Sequence, residues 1–226
     1  MESLIDRIKS NEKIEEVYIK NQMIDDNMLK RLLKSIEKNE HAKSIYMYEI
    51  FLTLKHLVLL ASHIKSNQNI YKIKLIFTHI DDKGITAFSE CLKFNNTLQK
   101  LSLRINKLGT KGIITLNNYL EELDIACNRI VPQGMLAFLE FLRTNNSLQE
   151  IDLFDNRIGD KGMVYLCEAI ISNNSLKVIK LEKNDIGNNG MISLSKALKL
   201  NNSLKVINIS INHIGAEGMI HFSEAM

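Results

Sequence analysis

A single spacing of apolar positions recurs along this chain of 226 residues. An apolar residue is followed by others three, five and ten positions later, usually with an asparagine at the eighth, as in Leu148-x-x-Ile151-x-Leu153-x-x-Asn156-x-Ile158. The frame starts at Ile14, Ala42, Ile70, Leu98, Leu120, Leu148, Leu176 and Leu204. Successive starts lie 28 residues apart, except for the 22 residues between the fourth and the fifth. A period of this length predicts a stack of similar units instead of a compact globule.

Each unit combines the signature of a strand with that of a helix. Inside the frame, inward and outward positions alternate with a period of two, which predicts a short strand buried on one face. Apolar residues then recur three and four positions apart, as in the segment MVYLCEAIIS, which predicts a helix. Because asparagine tolerates the left-handed conformation, recurring Asn-Asn pairs predict the helix C-termini. These pairs are Asn95-Asn96, Asn145-Asn146, Asn173-Asn174 and Asn201-Asn202.

Gly-x-x-Gly follows the frame in several units, at Gly109/Gly112, Gly159/Gly162, Gly187/Gly190 and Gly215/Gly218. Such spacing is also found in phosphate-binding loops, but no Gly-Lys-Ser/Thr follows it here. Since the motif returns at the same place in successive units, we interpret it as a requirement of backbone geometry.

The combined pattern NNSLxxIxLxxNxIGxxGMxxL resembles leucine-rich repeats of the ribonuclease-inhibitor type, which also occur in NOD-like receptors and in the Ran GTPase-activating protein. The resemblance covers essentially the whole chain and is strongest from Leu98 onward. It implies an α/β fold, a right-handed solenoid of about eight repeats with a curved parallel sheet on its concave face and helices on its convex face. It also implies a buried ladder of asparagines bonded to the backbone of adjacent turns, formed by Asn106, Asn128, Asn156, Asn184 and Asn212.

The ends of the predicted solenoid depart from this pattern. Gln22, Ile50 and Thr78 occupy the ladder position in the first three units, which predicts degenerate turns at the N-terminal end. The last predicted helix has no polar cap by Met226, so we expect exposed apolar surface there. Either the chain continues past this end, or the protein is a monomer or a weak dimer that packs through it. The expected organisation is one solenoid over residues 1–226, with a capping unit at 1–41, divergent repeats at 42–97 and regular repeats at 98–226. Among the regular repeats, we expect the one at 98–119 to be shortened and to lack most of its convex helix.

The outward strand positions change in chemistry along the chain. Tyrosines come first, then bases in the third and fourth units, then acids and one phenylalanine in the fifth and sixth. We predict that a protein partner binds these concave residues: Tyr18, Tyr46, Tyr48, Lys72, Lys74, Lys100, Arg104, Glu122, Asp124, Glu150, Asp152 and Phe154. Tyrosine is frequent in interface hot spots, although it also suits exposed strands. The bases either attract an acidic partner or offset the neighbouring acids across the sheet.

Composition excludes several function classes. The formal net charge of +3 is small, and the basic zone ends in carboxylates, so neither nucleic acid nor a membrane is predicted as a partner. The start has no secretory signal, and three cysteines without regular spacing favour a reducing, intracellular compartment. No metal or other cofactor is predicted, since the nearest cluster is His79 with Asp81 and Asp82. Cys127 has no histidine aligned near it, and the sequence predicts no enzyme.

The leading functional hypothesis is a non-catalytic protein-recognition module that binds through its concave face. An alternative is a GTPase activator or another enzyme regulator, for which Arg104, Arg129 and Arg157 are candidate arginines. A third is the targeting part of a larger protein that continues past residue 226. Abundant Ile, Lys and Asn with a single Pro is typical of AT-rich genomes, which favours a pathogen effector translocated into a host cell and directed at a host protein.

Overall fold

The computed structural model of the chain describes residues 1–109 and 119–225. Within these residues, eight strands form one parallel sheet in chain order, with eight helices on its outer side. The strands are β1 (Glu16–Lys20), β2 (Ser44–Tyr48), β3 (Lys72–Ile76), β4 (Lys100–Ser102), β5 (Glu122–Asp124), β6 (Glu150–Asp152), β7 (Val178–Lys180) and β8 (Val206–Asn208). The helices are α1 (Glu2–Lys9), α2 (Asp26–Lys38), α3 (Leu54–Ile64), α4 (Asp82–Leu92), α5 (Pro132–Thr144), α6 (Gly159–Ser172), α7 (Asn188–Leu198) and α8 (Ala216–Ser223). The predicted α/β solenoid, with its sheet on the concave face, is confirmed.

Neighbouring strands pair at equivalent positions of the frame. Tyr18 lies beside Tyr46, and Tyr46 lies beside Lys74. The register continues across the shorter spacing of the fourth unit, where Lys100 is opposite Glu122. The predicted loss of a convex helix in that unit falls on residues 110–118, which lie outside the described part of the chain.

The inward residues of the frame fill the space between the sheet and the helices. In the sixth and seventh units, Ile151 and Ile179 are fully buried. Ile207 holds the same position in β8 but is only half-buried, since no described strand covers the outer side of β8. The apolar core therefore reaches the surface at the last repeat.

Each strand ends in the same tight turn. The residue seven positions after the frame start, just before the ladder position, is left-handed in every unit, with φ between 50° and 55° at Asn21, Glu49, Phe77, Ile105, Cys127, Asp155, Lys183 and Ile211. Bulky and β-branched residues rarely adopt this conformation because Cβ crowds the backbone. Phe77, Ile105 and Ile211 are therefore held in the turn by the repeat architecture and against their own preference.

The asparagines of the frame lie directly after this turn. The side-chain amide of Asn106 donates to the backbone oxygens of Leu75 and Leu103 at 2.8 and 2.9 Å, and its Oδ1 accepts from the backbone of Thr78 and Ile80. The amides of the other four ladder asparagines also donate to backbone oxygens of their own and the preceding repeat, as seen at Asn128, Asn156, Asn184 and Asn212. Asn212 is half-buried, because it belongs to the open last repeat.

The Asn-Asn pairs end the helices by a different mechanism from the predicted one. Asn145 and Asn173 are extended, with φ of −85° and −91°, and are not left-handed. The Asn173 amide instead donates to the backbone oxygens of Leu142 and Asn145 at 2.9 Å, and its Oδ1 accepts from the backbone of Ser175 and Leu176. The first asparagine of three pairs, Asn95, Asn173 and Asn201, is thus a side-chain clamp between repeats, which joins the helix ends as the frame asparagines join the strand ends.

The Gly-x-x-Gly motifs at the starts of α7 and α8 bring each of these helices close to the one before it. Asp160, in the first turn of α6, accepts through Oδ1 from the backbone of Gly187 and Gly190 at 2.7 and 3.0 Å. Asn188 does the same for Gly215 and Gly218 one repeat later. A Cβ on Gly190 would lie 2.7 Å from that Asp160 oxygen. The motif is therefore a site of close approach between repeats, as the interpretation from backbone geometry expected.

Candidate functional site

The concave positions of β1 to β6 are not equally accessible. Tyr18 is 53% exposed and Tyr48 is half-buried, but Tyr46 between them is only 3% exposed. Ser102, in the same row, is also buried. The expectation of three accessible tyrosines is corrected accordingly, because neighbouring side chains on the sheet cover the middle one.

The three tyrosines form a stack across β1 and β2. The ring centroids of Tyr18 and Tyr46 are 4.5 Å apart with an angle of 5° between the planes, and Tyr48 follows at 6.2 Å from Tyr46. The hydroxyls of Tyr18 and Tyr46 donate to the two oxygens of Glu16 at 2.7 and 2.9 Å. These two hydrogen bonds lower the pKa of Glu16, and the carboxylate in turn raises the pKa of Tyr18. Ring stacking thus holds Tyr46 on both faces, and the bonds to Glu16 hold the hydroxyl groups of Tyr18 and Tyr46.

Lys72 and Lys74 border this stack from β3. Their ammonium groups lie 5.6 and 5.7 Å from the centroid of the Tyr46 ring, within the range of a cation–π contact. Neither forms an ion pair with a carboxylate of the described residues. We define the tyrosine–lysine platform as Tyr18, Tyr46, Tyr48, Lys72 and Lys74.

The other bases of the concave face are neutralised by neighbouring repeats. Lys100 pairs with Glu122 at 2.5 Å, and Lys180 pairs with Glu150 at the same distance. In each case the carboxylate raises the pKa of the lysine. The alternative in which bases and acids offset one another across the sheet therefore describes these residues.

Arg104 extends this compensation into the acidic zone. Its guanidinium lies 3.7 Å from Asp124 and 3.5 Å from Asp152, and it lies over the ring of Phe154 at 5.4 Å. Ser102 donates to Asp124 at 2.8 Å, but burial is the larger influence and raises the pKa of that carboxyl. Arg104 is therefore engaged within its own sheet, which weighs against its role as the arginine of a GTPase activator.

A shallow hollow of about 180 Å³ lies between the basic and acidic zones. Its walls come from β3 to β7, with Lys72 and Lys74 at one end and Asp152 and Lys180 at the other. It is large enough for one side chain of a partner, and both signs of charge line it.

The described residues offer little support for chemistry. No group of three or more His, Cys, Asp or Glu among them is arranged to hold a metal ion. Burial raises the pKa of Cys127 and raises that of Cys167 to about 12, which is opposite to what a nucleophilic thiol needs. Within the described part of the chain, every helix is too short or too polar to span a bilayer.

The prediction from sequence missed a second surface at the rim where the strands end. Phe51, Phe77 and Ile105 are exposed there, and His79 contacts both phenylalanine rings. The frame places these positions in loops, outside the alternating inward and outward rows of the strands. A signal was present at the turn position, since Phe77 and Ile105 stand in a row where four other repeats have Asn, Glu, Asp or Lys.

Comparisons with known proteins agree with this architecture. The sequence pattern of the family described as "Leucine Rich repeat" matches five segments that together span more than half of the chain, at residues 94–116, 117–139, 144–167, 172–195 and 200–223. A search of curated proteins finds no match. One similar solved structure is a chain in the crystal structure of the Rad7 and Elc1 complex in yeast, with a TM-score of 0.54 and 14% identity. The match covers 99% of this chain and 63% of that one, and at this identity it shows the fold alone.

Proposed function

This chain belongs to the leucine-rich repeat family, and we propose that it is a non-catalytic recognition module whose concave face binds a protein partner. The observation that carries the proposal is the tyrosine–lysine platform. Lys72 and Lys74 lie beside an ordered aromatic stack without an ion-pair partner, whereas Lys100, Arg104 and Lys180 are paired. Charges that are already paired add little to binding. Lys72 and Lys74 interact with Glu16 only at a distance, so the platform keeps more electrostatic capacity for a partner than the paired bases do.

The platform favours a particular kind of contact. Tyr18 offers an exposed ring that is held by stacking and by Glu16, so little side-chain entropy remains to be lost on binding. Two ammonium groups beside it favour a carboxylate on the partner. We therefore propose that the partner contacts the platform through an aromatic or aliphatic residue next to an Asp or Glu. The other concave residues determine the shape of the interface and the register of the partner; they are Lys100, Arg104, Glu122, Asp124, Glu150, Asp152 and Phe154.

The dimensions of the sheet support a partner of protein size. Eight strands about 4.8 Å apart extend over roughly 34 Å, which is enough for an interface of standard area. The composition typical of AT-rich genomes supports the finer proposal that the partner is a host protein and that this chain acts inside a cell as an effector. The half-buried apolar residues of the last repeat support, in the same way, a weak dimer through that end.

The test of the concave proposal compares three proteins of equal thermal stability. The native chain, a Lys72→Gln/Lys74→Gln variant and a Lys161→Gln/Lys196→Gln variant are immobilised, and proteins retained from a eukaryotic cytosolic lysate are quantified. The second variant makes the same charge change on exposed positions of α6 and α7. We expect a partner that the native chain and the convex variant retain and that the platform variant loses. If all three retain the same proteins in equal amounts, the concave proposal is wrong.

A further inference from the structure

The exposed rim at the ends of the strands has two adjoining sections. The apolar section contains Phe51, Phe77, His79 and Ile105, in which the His79 ring lies 5.7 Å from Phe51 and 5.3 Å from Phe77. The basic section contains Lys107, Arg129 and Arg157, which hold the same repeat position in three successive units and are all exposed. We call the two sections together the rim surface.

Backbone hydrogen bonds make the basic section a continuous row. The backbone nitrogen of Arg129 donates to the oxygen of Leu108, next to Lys107, and that of Arg157 donates to the oxygen of Ile130, next to Arg129, both at 2.9 Å. Equivalent positions in adjacent repeats therefore follow one another at about 5 Å. None of the three bases forms an ion pair with a carboxylate of the described residues, in contrast to the paired bases of the concave face.

The apolar section is costly for the fold. Phe51, Phe77 and Ile105 are 67%, 45% and 43% exposed, so they bury little area in the native chain. Phe77, His79 and Ile105 are also left-handed, with φ of 54°, 62° and 54°. Asn, Asp or Gly would adopt this conformation with less strain. Side chains that neither fill the core nor suit their backbone favour an interpretation in terms of binding.

We propose that the rim surface binds an acidic amphipathic helix of a protein partner. Side chains three and four residues apart on one helix face are separated by about 5–6 Å, which matches the spacing of the rim positions. Apolar side chains of the helix lie on Phe51, Phe77 and Ile105, and its Asp and Glu side chains lie against Lys107, Arg129 and Arg157. A helix that lays an apolar face into an exposed apolar surface is a common mode of recognition.

A protein segment fits this surface better than an anionic bilayer. Asp155 and Asp185 line the hollow that also contains Arg157, and Glu49 holds the turn position beside Phe77 in the neighbouring repeat. Carboxylates within the contact region are repelled by anionic headgroups, whereas a helix of defined sequence places its charges between them. The proposal concerns a different surface from the tyrosine–lysine platform and stands independently of it.

The test begins with a displayed library of helical peptides about 20 residues long, in which one helix face is randomised. The immobilised native chain should enrich peptides with apolar residues at i, i+3 and i+4 in one half and Asp or Glu on the same face in the other half. An enriched peptide is then synthesised, and its affinity is measured at low and high salt. We expect the affinity to fall as salt rises, because charge pairs contribute to it.

Matched variants separate binding from folding. Phe77→Asn/Ile105→Asn places a residue that tolerates the turn at both positions, so the fold is kept while the apolar contact is lost. Lys107→Gln/Arg129→Gln/Arg157→Gln removes the basic section. We expect each variant to bind the peptide at least about tenfold more weakly, a loss typical of interface hot spots. Ile211→Asn, at the same turn position in the last repeat, and Lys72→Gln/Lys74→Gln on the concave face should bind it as the native chain does.

The proposal would be overturned if no helical peptide were enriched, or if the enriched peptides carried no acidic residues. It would also be overturned if the two rim variants bound the enriched peptide as tightly as the native chain. If the native chain enriched no acidic peptide but cosedimented with phosphatidylserine-containing vesicles through the rim residues, the surface would recognise lipid instead. Because Lys72→Gln/Lys74→Gln is measured in parallel, failure here is distinguishable from failure of the concave proposal.

Discussion

At the scale of single residues, accessibility depends on neighbours in adjacent strands. Tyr18 and Tyr46 occupy the same row and the same position in the frame, but only Tyr18 is exposed, because Tyr46 is enclosed by Tyr18, Tyr48 and the two lysines of β3. The sequence indicates that these residues face the concave side. It does not show that they stack on one another, since ring orientation depends on the rotamers of both partners.

The tyrosine hydroxyls should control the titration of Glu16. The bond from Tyr18 is the largest cause of its lowered pKa, and that from Tyr46 is the next. Tyr18→Phe should therefore raise this pKa towards its ordinary value of 4.5, and Tyr46→Phe should raise it less. A group with a lowered pKa stabilises the fold fully above its unfolded pKa and loses this contribution as pH falls through the folded pKa. Titration of the Glu16 carboxyl by NMR measures the shifts; Tyr48→Phe serves as the control and should leave them unchanged.

The strained turn can be relieved at one exposed position. Ile211 is 71% exposed and left-handed, so Ile211→Asn removes backbone strain and little buried area. We expect the free energy of unfolding to rise by about 1 kcal/mol. Urea denaturation measures the change, with Val206→Asn as the control, because Val206 is also exposed but lies in the extended strand β8. Equal effects of the two substitutions would show that the turn stores no such strain.

At the scale of secondary-structure elements, asparagine side chains join neighbouring repeats at two places, the strand ends from Asn106 onward and the helix ends. One set follows the strands and the other ends the helices, and both satisfy backbone groups that a solenoid would otherwise leave unpaired. The Gly-x-x-Gly contacts of Asp160 and Asn188 add a third link. The units are thus held together by polar contacts as well as by their apolar frames.

The Asn-Asn pairs offer an internal control for the helix-end ladder. Asn173 is buried and makes four bonds to the backbone, whereas Asn174 is exposed. Asn173→Ala leaves buried backbone groups without partners and should cost about 3 kcal/mol of unfolding free energy. Asn174→Ala should change it by less than about 0.5 kcal/mol. Thermal or urea unfolding of the two variants tests the prediction, and a small loss at Asn173 would contradict the assigned role.

At the scale of the whole molecule, stability is expected to vary along the solenoid. The inward residues of the interior repeats are buried, while those of the last repeat, such as Ile207 and Ile209, are half-buried. Since a repeat protein is stabilised mainly by contacts between nearest neighbours, local opening should begin at the C-terminal repeat. Binding at the rim or the concave face would then take place on the more rigid part of the sheet.

Two isoleucines at the same frame position test whether stability falls towards the last repeat. Ile179 in β7 is fully buried and Ile207 in β8 is half-buried at the same frame position. Ile179→Ala should cost about 3 kcal/mol, in the range of buried Ile→Ala substitutions, and Ile207→Ala less than about half of that. Urea unfolding gives both values. Similar losses would mean that the last repeat is as well covered in solution as the interior ones.

The sequence by itself determined the repeat, the register and the sheet with its outer helices, because a fixed period of apolar residues can be buried only by stacking equivalent positions. It also placed the chemistry of each outward row, since side chains alternate along a strand. Only the tertiary structure decided which charges remain without an ion pair, that Tyr46 is covered, that Asn173 clamps neighbouring repeats with an extended backbone, and that Phe77 and Ile105 are exposed at the rim. These features depend on the rotamers of residues that are about 28 positions apart in the chain and on the distances between them. A pattern of residue types along the sequence contains neither.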